Sequence, residues 1–422
     1  MISAVMARLA DPTVSLAAYG GVIFPFALLI ESPIIMLLAA STALSKDWQA
    51  YCLMRRFMWI GGLSLSAIHL IVAFTPLYYL YAEGILGVPQ EIVEPARLGM
   101  MIMVPWSAAI ASRRFQQGVL IRFGKSREVG LGTAVRLISS ALILASGFVI
   151  AGIPGIAVGT MAVAVGVVSE ALYIGWRVRP VLNDQLRHAP PSEIPLTWGR
   201  FARFYTPLFI TPFFMFLALP MASAAMSRMP RAMESLAVWP VWNGIVFALR
   251  SICFAYNEVV VALLERPQAV QPLWKFAVRL AAVTSAILAL FAVTPLGVYY
   301  FGTVSALAPP LVAMGMFAMW LALPLPGLTA LQNFYQGVIV HSHRTRAIPE
   351  SILIYLVTIG GILAAGILYG QITGIYVAVV ATGAGNAVQV GWLAIRSRNT
   401  LDQLSAPDVT PPETPNLGAA AS

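Results

Sequence analysis

Eleven apolar stretches, each long enough for one helix to cross a bilayer, follow one another along this chain. They lie near 16–41, 57–80, 93–113, 130–150, 153–177, 201–225, 237–264, 275–300, 308–334, 348–369 and 373–396. A hydrocarbon core of about 30 Å needs about 20 helical residues. Inside it, only a helix or a closed barrel satisfies its own backbone hydrogen bonds. The short alternating segments of a barrel are absent. Charged residues make up only 10% of the 422 positions, too few to cover a soluble surface. The expected fold class is therefore all-α, a polytopic membrane protein, and its first partner is the lipid bilayer.

The distribution of charge sets an expected orientation. The net charge of +9 could suit nucleic acid, but the basic residues are confined to alternate loops and their flanks. One set holds Lys46, Arg55, Arg56, Arg113, Arg114, Arg122, Lys125, Arg127, Arg177, Arg179, Arg187, Arg200, Arg203, Arg266, Lys275, Arg279, Arg344, Arg346, Arg396 and Arg398, which is 20 of the 26 Lys and Arg residues. The other set holds Arg8, Arg97, Arg228 and Arg231, beside Glu83, Glu91 and Glu94. The positive-inside rule places the first set and the C-terminus in the cytoplasm. A multi-pass protein of the cell (inner) membrane is expected, with no nucleic-acid partner. Of the two cysteines, Cys52 falls in a loop and Cys253 in a span, so no disulfide is expected. Residues 399–422, with Pro407, Pro411, Pro412 and Pro415, read as a disordered polar tail.

The chain also repeats itself. One constant offset, from Ala73 onto Ala292 and from Arg179 onto Arg398, lays the first half on the second without a gap. Thr75-Pro76-Leu77 falls on Thr294-Pro295-Leu296, Pro105 on Pro324, and Phe115, Gln117, Gly118 and Val119 on Phe334, Gln336, Gly337 and Val338. Gly147 meets Gly366, and Arg177 meets Arg396. Apolar helices share Leu and Val by composition alone; matched Pro, Gly, Gln and Arg at one offset indicate duplication. Both halves put their basic loops on one side, so the repeat is parallel, about an axis along the membrane normal. Two pseudo-symmetric bundles are expected: a lobe over 1–180, a linker over 181–199 and a lobe over 200–398. Met6, Arg8 and Ser15 align with Met226, Arg228 and Ser235, at an offset larger by one. A span, Phe201 to Ala225, precedes the second copy, and almost nothing precedes the first. The expectation is five spans plus six here, in a fold that is complete at six plus six.

The run Phe115-Gln-Gln-Gly-Val-Leu-Ile, the basic turn Gly124-Lys125-Ser126-Arg127 and their second-half copies from Phe334 to Arg346 resemble the multidrug/oligosaccharidyl-lipid/polysaccharide (MOP) flippase superfamily, MATE proteins included. Leu16-Ala-Ala-Tyr-Gly and Glu31-Ser-Pro-Ile-Ile-Met look like its branch with the progressive ankylosis protein. The resemblance implies a V-shaped pair of lobes with a central cavity opening alternately to either side. It also implies substrates ranging from drugs to lipid-linked sugars, with small anions such as pyrophosphate, nucleotide or citrate in the ankylosis-like branch. The major facilitator class shares parallel six-helix halves, but its Gly-x-x-x-Asp-Arg loop is absent.

Ionisable groups at membrane depth cost about 2.5–3.5 kcal/mol each on insertion scales and need a partner, water or a function. Glu31 and Arg250 lie mid-span at nearly equivalent places in the two halves, where they could meet across a cavity or bind substrate charges. Glu31 could instead alternate between charged and neutral forms; Arg250 suits an anion or a fixed counter-charge. Arg136 and Glu170 suit a pair within one lobe, and Asn243 adds polarity beside His69, Asn386 and Gln389. Pro105 and Pro324 predict a shared bend, and Gly118 and Gly337 join them as candidate hinges.

Enzyme signatures fail. The run before Gly124-Lys125-Ser126 carries Val119 where a phosphate loop needs its first glycine, and His341 and His343 lie in a basic loop unsuited to a metal. No catalytic residue, metal or cofactor is expected. The reading is a secondary transporter of a small organic or anionic substrate, with H+ or Na+ as a possible coupling ion. Its alternatives are a lipid-linked saccharide flippase, a multidrug/cation antiporter and a membrane-embedded lipid-modifying enzyme.

Overall fold

The computed structural model describes residues 1–150, 152–264, 266, 268–342 and 346–405. His343, Arg344 and the polar tail from 406 onward lie outside the described residues. Among the described residues there is no β-strand. The first half holds α1 (Ile2–Met6), α2 (Pro12–Leu44), α3 (Trp48–Phe74), α4 (Gln90–Ile102), α5 (Trp106–Arg122), α6 (Ser126–Val149) and α7 (Gly155–Arg177). The second holds α8 (Trp198–Ser227), α9 (Ala232–Leu263), α10 (Val270–Val293), α11 (Pro309–Leu321), α12 (Pro324–His341), α13 (Ala347–Tyr369) and α14 (Gly374–Ser405).

Among the described residues ten helices are long and apolar enough to cross a membrane, one fewer than the eleven expected. The difference is the stretch near 93–113. It breaks at residues 103–105 into α4 and α5, whose arms carry Arg97, Arg113 and Arg114. Its counterpart, α11 with α12, lacks these charges and qualifies as a span. The last helix also runs into the stretch expected to be tail. It reaches Ser405 because Leu401 and Leu404 pack on the cluster of Tyr256, Leu273, Phe334 and Val338.

The repeat is legible contact by contact. α3 packs on α5 as α10 packs on α12, and α6 on α7 as α13 on α14. The Tyr81 hydroxyl donates to the Val22 carbonyl at 3.4 Å, and Tyr300 to Val241 at 3.1 Å. Gly147 lies against Val158, and Gly366 against Val377. All these pairs keep the offset that carries Ala73 onto Ala292, whereas Met6 and Ser15 lie one position farther from their copies. The first half thus has one extra residue between Ala17 and Val22, and the π-helical turn Tyr19–Ile23 within α2 takes it up. A π-bulge widens one turn of an α-helix locally while leaving the flanking turns helical.

The halves meet where α2 lies on α9 and α8. A Cβ on Gly20 would come within 2.5 Å of Pro240 Cδ, and one on Gly21 within 3.0 Å of Leu236. Close approach therefore needs glycine at both positions. Farther along, Tyr205 on α8 donates to the Pro33 carbonyl at 2.7 Å, and Phe57 packs edge-on against Phe201 and Tyr205. Ser32 on α2 is fully buried, while its repeat equivalent on α9, Ser251, is exposed together with Gly244, Phe247, Ala248 and Ile252.

Candidate substrate-binding site

In the first half, α5 presents its polar residues to α2, α6 and α7. Trp106 Nε1 donates to Glu31 at 2.9 Å, and the charged neighbours of Glu31 are Arg114 and Arg113. Glu170 on α7 is fully buried. It accepts from Arg113 Nη1 at 2.8 Å and from Gln117 Nε2 at 3.0 Å, and Arg136 Nε approaches it at 3.5 Å. The structure thus brings Arg136 and Glu170 together, but the closer partner of Glu170 is Arg113. The Nε atoms of Arg113 and Arg114 are buried with no partner among the described residues.

Arg113 and Arg114 correct the charge map. They read as the flank of a cytoplasmic loop, yet α5 continues to Arg122 and encloses them in the bundle. The remaining basic residues of that set still far outnumber those of the other, so the asymmetry survives. Their adjacency to Phe115-Gln-Gln was the available signal, since a loop flank has no need of so polar a helix.

The second half builds the same place from other chemistry. Arg250 is the repeat equivalent of Glu31, and its Nε donates to Thr329 on α12 at 2.8 Å. Its titratable neighbours are Tyr355 and Cys253. Arg114, Arg136 and Glu170 have Asn333, Tyr355 and Gln389 as their equivalents. Asn333 Nδ2 donates to the Thr329 carbonyl at 2.8 Å, and Gln389 Nε2 to Ser351 at 3.2 Å. Asn386 Nδ2 is buried without a partner among the described residues. Asn243 is half-buried on α9, two turns before Arg250. Among the described residues Glu31 and Arg250 form no ion pair. Each is turned onto its own half, so the meeting across a cavity is not made in this conformation. His69 sits apart from the cluster, its Nε2 3.0 Å from the Met100 carbonyl and its ring edge-on to Phe26.

Counted together, the two equivalent patches hold the guanidinium groups of Arg113, Arg114, Arg136 and Arg250 against the carboxylates of Glu31 and Glu170. With both carboxylates ionised the balance is +2. Buried charge on this scale is costly unless it is paired and hydrogen-bonded. Among the described residues no three His, Cys, Asp or Glu side chains gather to hold a metal ion.

Pro105 and Pro324 lie at equivalent helix breaks, before α5 and at the start of α12. Gly118 and Gly337, read as hinge candidates with them, sit within continuous helices. The Leu38 carbonyl and Ser41 press on Gly118, and the Asn257 carbonyl and Val260 on Gly337. What this geometry asks of the glycines is the absence of a side chain.

No protein-family model and no curated protein matches the chain. Solved structures do. An inward-facing conformation of a multidrug resistance MATE family transporter of the MOP superfamily superposes with a TM-score of 0.72 at 17% identity, over 96% of this chain and 95% of that one. An outward-facing conformation of such a transporter gives 0.60 at 16% identity, over 96% and 94%. A MOP superfamily transporter from Pyrococcus furiosus, described as having a binding pocket of reverse polarity, gives 0.62 at 16% identity, over 96% and 92%. The chain has the fold of the MATE transporters of the MOP superfamily.

Proposed function

We propose that this protein is a secondary transporter that moves a small organic anion across the cell membrane by alternating access between its two halves. The observation that carries the reading is the excess of guanidinium groups in the two patches, Arg113 and Arg114 on α5, Arg136 on α6 and Arg250 on α9, over the carboxylates of Glu31 and Glu170. Among the described residues Arg250 has a hydroxyl but no carboxylate beside it, and Arg114 has no direct hydrogen-bond partner. Fixed positive charge of this kind favours a carboxylate or phosphate and rejects a cation. A multidrug/cation antiporter is therefore the weaker alternative, and a lipid-linked saccharide flippase is compatible only through its phosphates. The resemblance of the Leu16 and Glu31 stretches to the ankylosis-like branch supports the same substrate class. H+ or Na+ is the proposed coupling ion, with Glu31 as the group that would exchange it, and the C-terminus is proposed to be cytoplasmic. The higher TM-score to the inward-facing relative than to the outward-facing one supports a structure closed at the end that carries Arg8 and Arg228.

The test is ligand-induced thermal stabilisation of the purified protein, screened with pyrophosphate, citrate and ATP against tetraphenylphosphonium and ethidium. A ligand that binds only the folded state raises its stability by mass action. At least one anion is expected to raise the melting temperature, with the rise lost in Arg250→Ala. Stabilisation by the cations alone would overturn the assignment.

A further inference from the structure

Two arginines outside the central cluster cross from one half to the other. Arg8, just after α1, donates through Nη1 to the Val304 carbonyl at 2.8 Å and through Nη2 to the Thr303 carbonyl. Arg228, just after α8, donates through Nη1 to the Leu86 carbonyl at 2.8 Å, and through Nη2 to Ile85 at 2.9 Å and Gly84 at 3.3 Å. The acceptors close the π-helical turns Tyr299–Val304 and Leu80–Leu86, each belonging to the opposite half. Each guanidinium also binds the carbonyl one turn back in its own helix, Ala4 for Arg8 and Ala224 for Arg228. The two arginines are repeat equivalents, at the offset that carries Met6 onto Met226, and so are Ala4 and Ala224. One crossing contact could be incidental; the same contact made in both directions about the pseudo-two-fold axis is a built feature.

The local chemistry fits a clasp. Helix C-termini leave carbonyls unpaired and carry partial negative charge, and a guanidinium is the side chain whose planar fork bridges several of them. The backbone on both sides is held in left-handed conformations at repeat-equivalent places. Asp11 (φ 50°) and Arg231 (φ 58°) follow the arginines, and Gly87 (φ 65°) and Ala306 (φ 51°) follow the π turns. A Cβ on Gly87 would lie 3.1 Å from Arg228 Cζ, so glycine there serves both the turn and the approach of the guanidinium. Positive φ at non-glycine residues is uncommon and clusters at functional sites. Both arginines are exposed, so water can replace the carbonyls when the clasp opens.

We infer that Arg8 and Arg228 are paired gate residues, which hold this end of the two halves shut in the present conformation and release it when the transporter turns to the opposite side. The inference rests on the alternating-access reading, but its test needs no substrate. In a chain carrying Cys52→Ser and Cys253→Ser, Leu236→Cys places a thiol at a fully buried position against Gly21 on the other half. The rate of its modification by a water-soluble maleimide reports opening of that seam. Arg8→Ala with Arg228→Ala is expected to raise the rate at least tenfold, and either substitution alone by less. Arg97→Ala is the control: Arg97 also binds backbone carbonyls, of Ala73 and Phe74, but within its own half. It should leave the rate unchanged. Should the alanine pair fail to fold, Arg8→Lys with Arg228→Lys keeps the charge and loses the fork, and is expected to label at least threefold faster. Labelling at the parental rate in the folded double variant, or an equal rise in Arg97→Ala, overturns the assignment. Absence of flux with every substrate tried would count against transport and leave this result standing.

Discussion

Glu31 and Arg250 occupy one position in the two halves, related by the offset that carries Ala73 onto Ala292, and make the same kind of contact with opposite charge. Glu31 accepts from Trp106 on α5, and Arg250 donates to Thr329 on α12. Duplication supplied the position and divergence inverted its electrostatics. The rest of the patch diverged with it: where the first half has Arg114, Arg136 and Glu170, the second has Asn333, Tyr355 and Gln389. A symmetric scaffold therefore presents an asymmetric lining, with most of its charge in one lobe.

The ion pair at Glu170 is expected to dominate the stability of the first half. Glu170→Gln removes the counter-charge of Arg113 and weakens that of Arg136 in a buried setting. Breaking a buried pair from one side costs about 3–5 kcal/mol. Glu170→Gln should lower the melting temperature in detergent well below that of the parent, and adding Arg113→Gln should recover part of the loss. An unchanged melting temperature in the single variant would show the pair to be hydrated and weak.

Gly118 and Gly337 make a paired prediction. Overpacking a close helix contact typically costs about 1–3 kcal/mol. Gly118→Ala meets the Leu38 carbonyl and Ser41, which are partly backbone, and Gly337→Ala meets mainly the Val260 side chain. Thermal unfolding should show both destabilised, Gly118→Ala the more. Equal and negligible effects would contradict the packing.

One carboxylate helps fasten the linker between the halves to the first half, beside the stacking of Arg187 over Trp48. Asp47 caps α3 by accepting from the Ala50 amide at 2.8 Å, and accepts from the Ser192 amide at 3.1 Å and the Ser192 hydroxyl at 2.5 Å. Partial burial alone would raise this carboxyl; the hydrogen bonds from Ser192, Ala50 and Gln49 together outweigh it and hold it below the ordinary aspartate range. The sign follows: with the folded value depressed, the attachment is at full strength above the ordinary aspartate value of about 3.9 and is lost only as pH falls through the lower folded value. Asp47→Ala should cost about 0.5–2 kcal/mol, as loss of a helix cap does, and should speed proteolysis within 189–197 at neutral pH. No change in cleavage would show the linker to be held elsewhere.

Much of this architecture was legible in the sequence, for identifiable reasons. Span length and the matched Pro, Gly and Gln residues are local properties, so the helices and the repeat could be read directly. The one-position change of offset after Ala17 was visible too, and the π turn in α2 is its structural cause. Other features depend on who meets whom. Arg113 and Arg114 looked like a cytoplasmic flank because charge near the end of an apolar run resembles the positive-inside pattern, and only the full length of α5 shows them enclosed. The crossing of Arg8 to Thr303 and Val304 joins the start of the first half to the middle of the second, and nothing local to either announces it. Leu401 and Leu404 were hidden by their proline-rich neighbours until a hydrophobic seat for them was visible.

Transport itself is tested most directly by flux. The protein is reconstituted in liposomes with whichever of pyrophosphate, citrate or ATP stabilises it, isotopically labelled, and uptake is followed in the parent and in Arg250→Ala. The expected result is saturable uptake in the parent, reduced at least tenfold in Arg250→Ala while that variant stays folded and monodisperse. No protein-dependent uptake of any of the three anions, or uptake that ignores Arg250, would contradict the account.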